Sequence, residues 1–524
     1  MPRALRLFRA PLRPGWLWLL AAMALGAGVA LGQAPFGLWP VAALALAGVI
    51  GLAARPGCAG SAAWIGFAAG FGYALAAMHW IVEPFFVEAE IYGWMAPFAL
   101  VLMAAGMGLF WALATGAGAA LAGPGAPRPW GVALGFAASD ALRSYVFTGF
   151  PWVLLGHVWL DSPVAQVGAL IGPIGLSLLT TFLAAGLVAG LRALAARRWA
   201  GLLVPLVLIA GTSGLGLWGQ AQLAVPVPVR ETPVRLRLIQ PNAAQHLKWQ
   251  ADYAREFFLR HLDLTGQLPL GGARRPDLIL WPETAVPFLL EDAGVGLEMI
   301  AEAAGGRSVV LGIQRGEGRR FYNSLAVIAP DAQVTAVYDK THLVPFGEYI
   351  PFGDLAARLG ISAFAAQEGN GYTAGAGETL LDLGPLGRVV PLICYEAVFP
   401  QDIRAVAGRA DWLLQITNDA WFGQGSGPRQ HLAQARMRAI EQGLPLARAA
   451  NTGISALIDA RGRIVEQIAL GEIGWVDADL PGSLPATVYA RRGDWPVFAL
   501  IVALGLVVST LRRKYRVDRQ GKPS

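Results

Sequence analysis

The 524-residue chain is 55% hydrophobic and only 15% charged, with a mean hydropathy of +0.48. Soluble domains carry about 25% charged residues, so a wholly soluble protein is excluded. The net charge of +6 does not imply a nucleic-acid partner. Much of the excess flanks apolar runs (Arg3, Arg6, Arg9 and Arg13, then Arg512, Arg513, Lys514 and Arg516), with no basic stripe interleaved with aromatics.

Eight apolar runs approach the length that crosses a bilayer: Gly15–Gly32, Leu38–Ala54, Ser61–Val82, Gly93–Leu121, Trp130–Phe147, Val164–Leu191, Trp199–Leu217 and Trp495–Leu511. The basic start and apolar core of the first run imitate a secretory signal. More spans follow within a few residues, so an uncleaved first helix is expected. The fifth run carries Asp140 and Arg143. With the N-terminus in the cytoplasm, Arg55, Arg128, Arg192, Arg197 and Arg198 all fall in cytoplasmic loops. The opposite loops hold Glu83, Glu88, Glu90 and Asp161 and no Lys or Arg. This one-sided charge predicts that both termini are cytoplasmic and that the segment between the seventh and eighth runs is not. Residues 1–222 are thus expected to form a seven-helix membrane domain, 223–490 an extracytoplasmic domain, and 491–524 a final span with a basic tail.

The long polar segment alternates short apolar runs with amphipathic stretches. Strands are expected at Val234–Ile239, Leu278–Trp281, Ser308–Ile313, Ser324–Ile328, Val334–Tyr338, Val389–Ile393, Trp412–Ile416 and Ile454–Ile458. Helices are expected at Trp249–Leu264, Val295–Ala304, Gln401–Val406 and His431–Gln442. The alternation implies an α/β domain, and the partial period of two in several strands suits a two-sheet sandwich covered by helices.

Polar residues cluster where these strands end, which is where α/β folds place their chemistry. Glu283 follows Leu278–Trp281, Lys340 follows Val337-Tyr338, Cys394 follows Pro391–Ile393, and Asn418-Asp419 follow Trp412–Thr417. A carboxylate, an ammonium and a thiol brought together could perform acyl transfer. Glu283 would act as general base, Cys394 as nucleophile, and Lys340 would stabilise the thiolate and the oxyanion. A helix beginning at Pro400 could add its dipole. Spacing leaves other readings open: a small buried core thiol for Cys394, a helix-start carboxylate for Glu283, a solvated turn for Lys340. Only two cysteines occur, Cys58 and Cys394, far apart, so no disulfide framework is expected. The six histidines lack ligand spacing and no phosphate loop or dinucleotide fingerprint occurs, so neither metal nor cofactor is expected.

Three motifs in order carry a family resemblance: Trp281-Pro282-Glu283-Thr284, the run Tyr338–Glu348, and Ile393-Cys394-Tyr395-Glu396. The segment bearing them resembles the carbon–nitrogen hydrolase (nitrilase) superfamily, which implies an αββα sandwich and a Glu283–Lys340–Cys394 triad. The whole chain resembles the apolipoprotein N-acyltransferase family. Supporting that are Gln240-Pro241-Asn242 leading to Lys248-Trp249, Asn418–Gly423, and Thr148-Gly149-Phe150-Pro151-Trp152. The resemblance implies a bacterial inner-membrane enzyme with its catalytic domain in the periplasm and a ping-pong reaction. Cys394 would take an acyl chain from a phospholipid, typically the sn-1 chain of phosphatidylethanolamine, and pass it to the α-amine of a diacylated apolipoprotein. It also implies that Glu348 orients Lys340, that Trp249, Tyr395 and Glu396 line the substrate site, and that Trp421 and Phe422 form a mobile aromatic arm near the bilayer. Core packing is the competing reading for that pair. A membrane-tethered amidohydrolase with the same triad is the alternative function, and a transporter with a sensory domain a third.

Overall fold

The computed structural model describes residues 14–55, 57–351 and 371–520, the side chains of 515–520 excepted. Arg3, Arg6, Arg9, Arg13 and the side chain of Arg516, invoked above for topology, lie outside the described residues. The chain divides into two compact units. One falls within Met1–Val82, Trp94–Val225 and Val488–Ser524, the other within Glu83–Gly93 and Pro226–Thr487.

The first unit is helical. Ala59–Ala77, Ala89–Ala122, Pro163–Ala195, Trp199–Ala224 and Trp495–Lys514 are long and apolar enough to cross a membrane. Trp16–Ala30 and Trp39–Ala53 are apolar but have 15 residues each. At 1.5 Å per residue these reach about 22 Å, short of a bilayer core of about 30 Å. The fifth expected span is shorter than its apolar run. Its helix stops at Arg143, and the chain leaves helical geometry at Phe147 and Thr148, with φ of 55° and 71°. Glycines let the helices approach closely: a Cβ at Gly26 would strike the Ala69 carbonyl, and one at Gly118 the Gly131 carbonyl.

Pro151–Leu160 then runs buried through this unit without forming an α-helix. Irregular backbone inside an apolar helical unit survives only if its polar groups are met from within. Arg143 donates to the carbonyls of Phe150 (2.8 Å) and Trp152 (2.6 Å) and pairs with Asp140 at 3.2 Å. Asp140 accepts from Leu155 N and from the Ser177 hydroxyl, at 2.8 and 2.7 Å. Gln33 and Tyr73 donate to the Leu154 and Val153 carbonyls. The two charges in the fifth run are therefore a buried brace for the Thr148–Trp152 region, each only 2% exposed. Asp140→Ala strands the Arg143 charge and should destabilise the protein by about 3–5 kcal/mol. Thermal unfolding in detergent reads this as a large fall in Tm, and an unchanged Tm would refute the brace.

The described residues of the second unit form twelve strands. In chain order they are β1 (Arg235–Gln240), β2 (Leu278–Leu280), β3 (Ser308–Glu317), β4 (Arg320–Ile328), β5 (Val334–Asp339), β6 (Leu381–Asp382), β7 (Arg388–Ile393), β8 (Trp412–Thr417), β9 (Leu446–Ala450), β10 (Ser455–Ile458), β11 (Ile464–Ile468) and β12 (Gly474–Asp479). One sheet runs β12-β1-β2-β3-β4-β5, the other β11-β10-β9-β8-β7-β6. The expected strands are all present within a few residues, while β6, β9, β11 and β12 were not anticipated. In each sheet three parallel strands lie at the centre, β1-β2-β3 and β7-β8-β9, with antiparallel neighbours outside.

Side chains of alternating parity build three apolar layers. Leu236, Leu238, Leu278, Leu280 and Val310 meet Val389, Ile393, Trp412, Leu414 and Ile416 between the sheets. Ile279, Val309 and Leu311 point the other way, onto Phe258, Leu297 and Ile300 of the helices Ala251–Gly266 and Gly294–Ala304. Leu413, Leu446 and Ala456 likewise face Leu432, Ala435 and Ala439 of Ser426–Gln442. The result is a helix–sheet–sheet–helix sandwich, and the ends of β2, β5, β7 and β8 carry the polar residues singled out above.

Candidate active site

Glu283 is aimed by the turn that follows β2. Trp281 N and Ala285 N donate to the carbonyls of Val310 and Gly312, and Gly312 N donates to Pro282 O, so the turn stays zipped to β3. The approach is close: a Cβ on Gly312 would stand 2.5 Å from Glu283 Cα. Thr284 takes φ of +46°, a costly conformation for a β-branched residue that surrounding contacts must hold. The Glu283 carboxylate accepts from Asn323 Nδ2 at 2.7 Å and from Asn418 N at 2.8 Å.

Lys340 leaves β5 with its amide donating to Asn323 O. Its Nζ lies 2.8 Å from Glu348 Oε1 and 3.6 Å from Glu283 Oε1, and the side chain is 1% exposed. Glu348 is fixed in turn by Val344 N on one oxygen and Asn323 Nδ2 on the other. Burial alone would drive the Lys340 proton off. The charges of Glu348 and Glu283 outweigh it and raise its pKa, so the group stays an ammonium.

Cys394 ends β7 at φ of +53° and opens a 3₁₀ turn, Cys394–Val398. The helix Pro400–Ala405 starts where the sequence places it, six residues after the thiol. Burial pushes the thiol pKa up, and Glu283 pushes it further, while Lys340 pulls it down. The upward effects win. The resting group is a protonated thiol, and the thiolate forms only if a base takes the proton.

Glu396 does not offer a free carboxylate. One oxygen accepts from Tyr338 Oη, Thr341 N, Thr341 Oγ1 and His342 N, and the other from Ile393 N. It ties the Lys340 loop to the Cys394 loop. Tyr395 is buried edge-on to His342 and Phe399. Trp249 is half-buried, with Lys248 Nζ 5.5 Å from its ring. Trp421 and Phe422 are half-buried on the turn Asp419–Phe422, where Phe422 packs on the inter-sheet core and edge-on to His431. Glu283, Lys340, Glu348 and Cys394 thus converge, and Glu396 braces them.

Several partners were not singled out from sequence. Asn323 bridges Glu283 and Glu348, one residue ahead of the strand expected at Ser324, and a polar residue inside an apolar run was its only signal. Behind Cys394, His431 places Nε2 3.0 Å from the Cys394 carbonyl oxygen and Nδ1 2.8 Å from Asp419 Oδ1, while Arg448 pairs with the other oxygen of Asp419. Although burial would raise it, Arg448 and His431 hold the Asp419 carboxyl down at about 2. Among the described residues no group of three or more His, Cys, Asp or Glu could hold a metal.

The carbon–nitrogen hydrolase family model matches residues 272–487, and the apolipoprotein N-acyltransferase N-terminal domain model matches 25–186. An apolipoprotein N-acyltransferase of Sinorhizobium fredii is 40% identical over 84% of this chain and 85% of its own. One of Rhodopseudomonas palustris is 37% identical over 95% of this chain and 96% of its own. The chain belongs to the apolipoprotein N-acyltransferase family. Among solved structures, an amidase from Nesterenkonia sp. is similar at 19% identity, covering 52% of this chain and 98% of that one with a TM-score of 0.37.

Within the family's carbon–nitrogen hydrolase domain, Lys340 is the charge that pulls against the burial of the thiol, with a smaller pull from a Thr417 hydrogen bond. Lys340→Met in a Cys58→Ser background should slow iodoacetamide labelling of folded Cys394 by about tenfold or more near neutral pH, since a pKa unit is a factor of ten in thiolate. Labelling at the parent rate would show that the ammonium does not act on the sulfur.

Proposed function

We propose that Glu283, Lys340 and Cys394 form the catalytic triad of this acyltransferase, with Glu348 orienting Lys340. The observation that carries the reading is one buried ammonium, 3.6 Å from Glu283 and 2.8 Å from Glu348, acting on a buried thiol. Glu283 takes the thiol proton, and the sulfur attacks the ester carbonyl carbon of a phospholipid, at sn-1 of phosphatidylethanolamine in this reading. Lys340 stabilises the tetrahedral oxyanion. The carbon–oxygen bond to glycerol breaks, the leaving oxygen takes the proton from Glu283, and lysophospholipid departs. The α-amine of the S-diacylglyceryl-cysteine at a lipoprotein N-terminus then attacks the thioester and gives its proton to Glu283. The amide forms, and the thiolate regains the proton.

The setting is proposed to be the bacterial inner membrane, crossed eight times, with 1–222 as a seven-helix membrane domain, 223–490 in the periplasm, 491–524 as a final span and basic tail, and both termini cytoplasmic. The one-sided distribution of Arg and Glu between loops supports this orientation. Both substrates are lipids, and drawing an acyl chain out of a bilayer costs about 0.8 kcal/mol per CH₂, which an enzyme held at the membrane avoids. Tyr395 and Trp249 are proposed to line the substrate site, with Trp421 and Phe422 nearby.

Purified protein incubated with phosphatidylethanolamine should carry an acyl adduct on Cys394 by mass spectrometry, and Cys394→Ala should lower transfer by about a thousandfold or more. In cells depleted of their own enzyme, the parent should restore growth and Cys394→Ala should not. Release of ammonia from amides without any acyl adduct would instead select the amidohydrolase reading.

A further inference from the structure

One buried charge beside the triad is unused by the mechanism above. Lys248 lies on the turn between β1 and the helix Ala251–Gly266 and is 6% exposed. Its Nζ donates to Thr284 Oγ1 at 2.8 Å and to the Glu283 carbonyl oxygen at 3.3 Å. These are the two residues of the turn that aims the base, and Thr284 holds the costly φ of +46°. On its other side this turn is wedged against Gly312. The turn bearing Lys248 also presents Gln245, whose Oε1 accepts from Asn418 Nδ2 at 2.7 Å, and Asn418 N donates to Glu283 Oε2. One short segment therefore grips the base from its backbone and steadies the donor on its carboxylate.

Among the described residues Lys248 makes no ion pair. A buried ammonium without a counterion is expensive, and a lysine placed only to fill space would be better replaced by an apolar side chain. We propose that Lys248 is a positioning residue for Glu283, clamping the Glu283–Thr284 turn and supplying a positive charge that favours the carboxylate over the protonated acid. The inference rests on Glu283 being the base. Burial lowers the Lys248 pKa to about 8, with the Glu283 charge opposing, so the ammonium form still prevails at neutral pH. Glu283 is faced besides by Lys340 and by the Cys394 thiol, and its charge is also felt by Tyr372. Lys248 is faced by His261, which burial keeps neutral with a pKa of about 3.

The test is single-turnover acylation of Cys394 by phosphatidylethanolamine in the full-length, detergent-solubilised protein, followed from about pH 5 to about pH 9 across the range where carboxylate and imidazole groups titrate. A cation beside a carboxylate favours its charged form, so removing it must move the acid limb of the profile upward. Lys248→Met is expected to move that limb up by about one pH unit, which lowers the rate by up to about tenfold on the acid side of the limb. Lys248→Arg, which keeps the charge, is expected to leave the limb in place. A structural role alone would lower the rate at every pH without moving the limb. An acylating parent with an unmoved limb in Lys248→Met, or an equal movement in Lys248→Arg, overturns the inference alone. A parent that never acylates overturns it together with the reading it rests on.

Discussion

The site depends on keeping one positive charge, that of Lys340, inside a protein core. Removing an ammonium from water costs several kcal/mol unless opposite charges and hydrogen bonds replace the solvent. Glu348 and Glu283 supply the charges, and Asn323 holds the two carboxylates in place by donating to both. Glu283 follows β2, Asn323 lies within β4, and Glu348 lies on the loop after β5, so the charge can be accommodated only in the assembled sandwich. The same cluster sets the resting state of the sulfur. Lys340 favours the thiolate, but Glu283 and burial oppose it more strongly, which leaves an unreactive thiol until its proton has somewhere to go.

The strands and the three residues proposed to react were legible because both signals are local. A short β-branched run that stops at a polar residue marks a strand end, and Glu283, Lys340 and Cys394 each stand there. β9 was hidden because Leu446-Ala447-Arg448-Ala449-Ala450 has little strand propensity. It is fully buried because Arg448 finds Asp419, a partner far away in sequence. Asn323 was hidden for a related reason, since its importance lies in two carboxylates that reach it from other segments. Glu396 carries no local mark of its role, since the five donors that converge on it come from the segments around Thr341 and Ile393.

The helical unit shows the limits of hydropathy in another way. A window of apolar residues counts side chains and ignores the backbone, so Trp130–Phe147 looked like a continuous span. Asp140 and Arg143 turn inward instead, and the irregular segment beyond them depends on that pair for its carbonyl and amide partners. The residues that weakened the run as a span are the ones that make the following segment possible.

The brace at Glu396 bears on the interval between the two half-reactions of the proposed ping-pong cycle. While the acyl chain rides on sulfur, one large lipid has left and another has not yet arrived, and neither is present to hold the pocket in shape. Because Glu396 fastens the Cys394 loop to the Lys340 loop through contacts made once, at folding, the intermediate waits in a cradle whose form does not depend on an occupant. An enzyme that must serve two unlike visitors in succession gains from such indifference: neither has to rebuild the site before it can react.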